Sequence, residues 1–127
     1  MAEDGNGGLV RITVAEAPTG DATVVKLAGE LGVDTAAELA MAIEELLGRP
    51  TRRIVIDLAL LGFCDSIGLS TFVDAHRRCT AEGGYFALAA PSPFMLELLG
   101  VVGLTRQVPA YATVASACAG GDEGRLR

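Results

Sequence analysis

Residues 54–69 constrain the fold of this chain more than any other stretch. Ile54-Val55-Ile56-Asp57-Leu58 is short, β-branched and almost continuously apolar, the pattern of a strand covered on both faces of a sheet. From Leu69 the period changes. Leu69, Phe72, Val73, His76 and Cys79 recur at helical spacing, while Asp74, Arg77, Arg78 and Glu82 fall on the opposite face. A strand therefore passes through Leu61-Gly62-Phe63-Cys64-Asp65-Ser66 into a helix, with two small polar residues at the joint. Ser66 reads as the helix N-cap, its hydroxyl accepting from a first-turn N–H. The remaining N–H groups and the helix dipole favour an anion beside it.

The flanking chain extends this junction into one α/β domain over residues 9–119. Val10, Ile12 and Val14 alternate with Arg11 and Thr13, which predicts a half-exposed strand. Pro18-Thr19-Gly20-Asp21 supplies turn chemistry, and residues 23–28 form a second strand, so the pair is expected as an antiparallel hairpin. Thr35 and Glu38 are spaced as a capping box before a helix whose stripe is Ala36, Leu39, Ala40, Ile43, Leu46 and Leu47. Asp34 opens that helix at the same sheet edge as Asp65 and Ser66, and Gly48 and Pro50 stop it. Gly83-Gly84 then precedes a buried strand over residues 85–90. Ser92-Pro93 opens a short helix that Gly100 closes. A short last strand is expected within residues 101–108 and a terminal helix over 111–119. The polar ends, residues 1–8 and 120–127, read as flexible tails. This order implies a mixed sheet of about five strands, antiparallel in its hairpin and parallel afterwards, with about four helices.

Composition removes several classes of function. A net charge of −6 argues against neutralising a phosphate backbone or anionic lipid, since both need Lys and Arg. Met1-Ala2-Glu3-Asp4 is acidic where a signal peptide is basic, and no apolar run approaches a membrane span. Cys64, Cys79 and Cys118 are odd in number and lack CxxC spacing, so neither a disulfide framework nor a zinc site is expected. A reducing, cytoplasmic setting fits this usage.

Enzymatic readings fare poorly. A hydrolase elbow needs G-x-S-x-G, and position 64 is Cys. His76, the one histidine, lies ten residues beyond Ser66, about 15 Å along a helix and out of reach as its base. Its place on the apolar stripe makes it a core or core-edge residue. No P-loop and no strand followed by G-x-G-x-x-G occurs, so no nucleotide cofactor is expected. Glu44 and Glu45 read as a solvated helix face, and Asp57 has no evident acid–base partner. Cys64, beside a helix N-terminus, could be a reactive thiol; a small buried hydrophobe is the expected role of all three cysteines. For Ser66, plain capping competes with regulation. Its position beyond the carboxyl end of a buried strand, where open α/β sheets present functional groups, favours regulation.

Asp65-Ser66-Ile67-Gly68-Leu69, at the end of the 54–69 segment, resembles the signature of STAS-domain anti-sigma-factor antagonists. The upstream Leu27-Ala28-Gly29-Glu30-Leu31 resembles that family's L-x-G-E-L stretch. The resemblance implies a non-catalytic protein that binds an anti-sigma factor, itself a serine kinase, and so releases a sigma factor. Phosphorylation of Ser66, reversed by a phosphatase, would switch it off. It also implies docking through Glu30, Gly32, Asp34, Asp65, Ile67, Gly68 and Leu69. Gly32 stands where members of the family commonly carry an acid, and Ile67 where they often carry Ser or Thr. Ile67 either enlarges an apolar docking patch or turns into the core. An alternative within the family is a stressosome-type scaffold or an accessory subunit of a transporter, with no sigma-factor release.

Overall fold

The computed structural model describes residues 10–17, 22–49 and 53–126. The expected N-terminal tail, the turn at 18–21 and Pro50 lie outside these residues. The chain forms β1 (Val10–Glu16), β2 (Thr23–Leu31), α1 (Ala36–Leu47), β3 (Arg53–Cys64), α2 (Ser66–Ala81), β4 (Tyr85–Ala89), α3 (Pro93–Val101), a 3₁₀ turn (Leu104–Arg106), β5 (Ala110–Tyr111) and α4 (Val114–Ala119). The five strands form one sheet in the order β1-β2-β3-β4-β5. β1 pairs antiparallel with β2, and every later pairing is parallel.

The main core follows from the periods read above. Val25, Leu27, Ile54, Ile56, Phe86 and Leu88 face one side of the sheet, where α1 and α2 bury Leu39, Ile43, Leu46, Phe72 and Cys79. Burying a side chain such as Phe72, with no exposed surface, contributes about 1.5–3 kcal/mol relative to leaving it in water. The other face carries a smaller cluster, in which Val55, Ala87, Ala89 and Tyr111 meet Ala117 and Cys118 of α4. Small residues on these strands let a six-residue helix lie close to the sheet.

Three features depart from the sequence expectations. The segment over residues 101–108 is the end of α3 followed by the 3₁₀ turn, and the last strand comes later, at Ala110–Tyr111. Gly100 stays helical, and the break falls at Gly103, whose φ of 72° suits glycine. The capping box does not form. Thr35 occupies the N-cap but makes no side-chain cap bond. Its buried hydroxyl instead accepts from Gly32 N–H (2.9 Å) and donates to the Glu30 carbonyl (3.2 Å), closing the β2–α1 loop on itself. Finally, residues 121–126, expected as part of a free tail, bond back to β5.

Candidate functional site

β3 is longer than the strands beside it. Only Arg53–Asp57 pairs with β4, so the remainder projects past the sheet alongside β2. Two register shifts against β2 give this projection two extra residues, one between the Lys26 and Ala28 pairings and one between those of Gly29 and Glu30. The Asp57 carboxylate accepts from Ala59 N–H (3.0 Å) at the first. The result is a three-residue rhythm, in which Leu58, Leu61 and Cys64 are buried while Leu60 and Phe63 are exposed.

The strand ends against β2, with Asp65 N–H donating to the Leu31 carbonyl (3.1 Å). Asp65, not Ser66, is therefore the N-cap of α2. Its backbone is extended (φ −92°, ψ −176°) and its Oδ1 accepts from Gly68 N–H (2.9 Å). The strand holds Asp65 out of the helical conformation, and Ser66 becomes the first helical residue. The second carboxylate oxygen accepts from Val33 N–H (3.1 Å). One side chain thus ties the β2–α1 loop to the start of α2.

Two glycines make room for that tie. A Cβ on Gly32 would stand 2.6 Å from Asp65 Oδ2, so the carboxylate occupies the space a side chain at 32 would need. A Cβ on Gly68 would meet Cys64 Sγ at 2.6 Å and the Leu31 carbonyl oxygen at 2.7 Å. Gly68 is what allows α2 to start so close to β2 and β3.

Ser66 is exposed. Its carbonyl accepts from the Ser70 hydroxyl (2.9 Å), and its own hydroxyl has no hydrogen-bond partner among the described residues. In the first turn Gly68 N–H and Leu69 N–H are engaged by Asp65; the amides of Ser66 and Ile67 have no such partner among the described residues and remain for an anion. Ile67 is 48% exposed and so does not turn into the core. With Val33 (69%) and Phe63 (45%) it gives the rim an apolar character around Asp65. Glu30 and Asp34 are exposed on the same rim and, with Val33 and Phe63, line a cleft of about 130 Å³. A groove of about 600 Å³ begins on the other side of Ser66, between Leu69 and Val73 of α2 and Val102 and Leu104.

Of the seven expected docking residues, Glu30, Asp34 and Ile67 are exposed, and Gly32 and Asp65 are partly so. Gly68 is buried and shapes the surface from beneath, while Leu69, 8% exposed, forms the floor of the groove. Sequence reasoning missed Val33 and Phe63. Phe63 belonged to an apolar run in which only the strand's register distinguishes inward from outward positions. Val33 had a signal, a β-branched residue alone between glycine and aspartate at a loop tip.

Two titratable side chains of this region are shifted by burial. Burial, reinforced by the Asp65 charge, pushes the Cys64 thiol up to about 12, so it is protonated at neutral pH and a poor nucleophile. His76 is lowered by burial and packs edge-on against Phe86, with ring centroids 6.3 Å apart. Among the described residues, no group of three His, Cys, Asp or Glu side chains is placed to hold a metal ion, and no helix is long and apolar enough to cross a membrane.

Comparison with known proteins agrees with this architecture. Residues 14–110 match the family model described as MlaB, STAS domain. An anti-sigma F factor antagonist of Paenibacillus polymyxa is 32% identical over 89 residues, 69% of this chain and 76% of that protein. The anti-sigma-F factor antagonist RsfB of Mycobacterium tuberculosis is 27% identical over 91% of this chain and 93% of its own. Among solved structures, an anti-sigma factor antagonist from Mycobacterium paratuberculosis superposes with a TM-score of 0.77 at 26% identity, covering 93% of this chain and 95% of that one. The chain belongs to the STAS-domain family of anti-sigma-factor antagonists.

Proposed function

We propose that this protein binds an anti-sigma factor of the serine-kinase type and thereby frees a sigma factor, and that phosphorylation of Ser66 ends the association. The protein is a ligand and a substrate in this scheme, not a catalyst, and it works in the cytoplasm with a serine phosphatase resetting it. The names of its relatives support the partner class. The observation that carries the switch is the placement of Ser66: an exposed hydroxyl on the first residue of a helix whose cap is supplied by its neighbour.

That placement lets a charge arrive without unfolding anything. A phosphoryl group adds about −1.5 to −2 charges at pH 7. At the first helical residue it meets the positive end of the helix dipole and two free amides, so the fold tolerates it. A partner covering Ser66 would have to bury that charge beside the apolar rim of Val33, Phe63 and Ile67 and next to Glu30, Asp34 and Asp65. An uncompensated charge buried in an interface costs several kcal/mol, whereas about 1.4 kcal/mol already weakens binding tenfold.

Incubation of the protein with its cognate kinase and ATP should raise the intact mass by one phosphate, with none gained by Ser66→Ala. Continued modification of that variant removes the site assignment. A partner whose association is indifferent to both ATP and phosphorylation removes the switch.

A further inference from the structure

The chain after α4 turns at Gly120 (φ 75°) and comes back along the outer side of β5. Ala112 N–H donates to the Gly124 carbonyl (2.8 Å), Leu126 N–H donates to the Ala110 carbonyl (2.8 Å), and Tyr111 bridges antiparallel to Arg125 between them. Three side-chain contacts add to this. The Tyr111 hydroxyl donates to the Gly121 carbonyl (2.8 Å), the Arg125 guanidinium lies 5.8 Å from the Tyr111 ring centroid, and Leu126 packs against the main core. β5 is bonded to β4 on its inner side, so among the described residues this segment alone occupies its outer one.

We propose that residues 121–126 form a strap that keeps the outer edge of β5 from pairing with the same edge of a second copy of this chain. The identity of the excluded occupant follows from the bonding pattern. The strap is held by one donor, Ala112 N–H, and one acceptor, the Ala110 carbonyl, placed symmetrically about Tyr111. In an antiparallel ladder those two groups are each other's complement across a twofold axis. With the strap lifted, Ala112 N–H of each copy would donate to the Ala110 carbonyl of the other, with the two Tyr111 residues opposite one another. No other sequence is required, because the two groups that bind the strap also complete the self-pair. An unguarded edge is a template for this kind of association.

Two full-length variants loosen the strap by different means. Gly124 has φ of 75°, and a Cβ there would lie 2.5 Å from Ser116 Oγ, so Gly124→Ala disfavours the turn without touching the core. Leu126→Asp removes the apolar anchor. Amide exchange at Ala112 should quicken at least tenfold in each, and sedimentation velocity across a concentration series should show a monomer giving way to a dimer. Adding Ala112→Pro, which deletes the donor, should return either variant to the monomer. Faster exchange in both variants with no dimer at any concentration overturns the guarding role. Exchange at Ala112 unchanged in both shows that these residues do not hold the segment and overturns the strap itself. A dimer that survives Ala112→Pro overturns β5 as its seam.

Discussion

The assignment of the α2 cap to Asp65 and not Ser66 makes a quantitative forecast. Asp65→Ala removes two hydrogen bonds at once, to Gly68 N–H at 2.9 Å and to Val33 N–H at 3.1 Å. Loss of a side-chain N-cap costs about 0.5–2 kcal/mol. The bond to Val33 is exposed, so its net worth lies at the lower end of about 0.5–1.5 kcal/mol. Together the variant should lose about 1–3 kcal/mol. For a chain of 127 residues, each kcal/mol moves the midpoint by about 4 °C, which gives a fall of about 4–12 °C by calorimetry at pH 7. Ser66→Ala deletes a hydroxyl without a hydrogen-bond partner and should stay within about 0.5 kcal/mol of the parent. Gly32→Ala supplies an internal check. Its Cβ pushes on Asp65 Oδ2, so alone it should cost about 0.5–1.5 kcal/mol through the Val33 bond, and in the Asp65→Ala background it should cost nothing. A Ser66→Ala chain that melts as low as Asp65→Ala, or additive effects of the Gly32 and Asp65 changes, would refute the reasoning.

Further outcomes follow from other parts of the site. Gly68→Ala should cost about 1–3 kcal/mol in urea unfolding, because the added methyl meets the Cys64 sulfur and the Leu31 carbonyl at 2.6 and 2.7 Å. Native Cys64, with its thiol pushed up to about 12, should resist iodoacetamide at pH 8 and react only after denaturation. A thiol protonated more strongly in the folded state stabilises the fold fully below the unfolded pKa of 9.0. That contribution declines above it, so the stability of wild type relative to Cys64→Ala should fall by about 1.4 kcal/mol per pH unit above pH 9. Ser66→Asp should leave the thermal midpoint near that of the parent while weakening the anti-sigma-factor complex at least about tenfold by calorimetry; equal affinities would count against charge-driven release.

The sequence made the layered α/β plan legible because its periods are clean. Ile54, Ile56 and Leu58 are buried as a two-sided strand predicts, and Leu39, Ile43, Leu46 and Leu47 line the inner face of α1. The junction was legible in place but not in detail. Asp65 and Ser66 are both good caps, and local chemistry does not choose between them. The choice is made by a contact 34 residues away in sequence, the bond from Asp65 N–H to Leu31, which keeps the strand going one residue past Cys64. Thr35 shows the same limit: its hydroxyl found the Gly32 amide and the Glu30 carbonyl in place of the helix. The last strand was hidden because the mixed segment over 101–108 carries no clear period, and the turn at Gly103 divides it differently. The return of residues 121–126 to β5 rests largely on main-chain bonds, which leave no pattern in the sequence, with Tyr111, Arg125 and Leu126 adding side-chain contacts that a polar tail does not announce.

The two extra residues in β3 make the site sensitive to arithmetic more than to chemistry. Between the partner of Lys26 and the cap at Asp65, inward and outward positions alternate by threes, not twos. Side chains at Leu60 or Phe63 can therefore be exchanged at modest cost to the fold, while removal of a single residue between Leu58 and Cys64 would rotate everything beyond it. Cys64 would turn outward, the Asp65 carboxylate would leave Val33, and Ser66 would point elsewhere. A library that varies length in this segment should lose the switch abruptly, where one that varies composition should tune it by degrees.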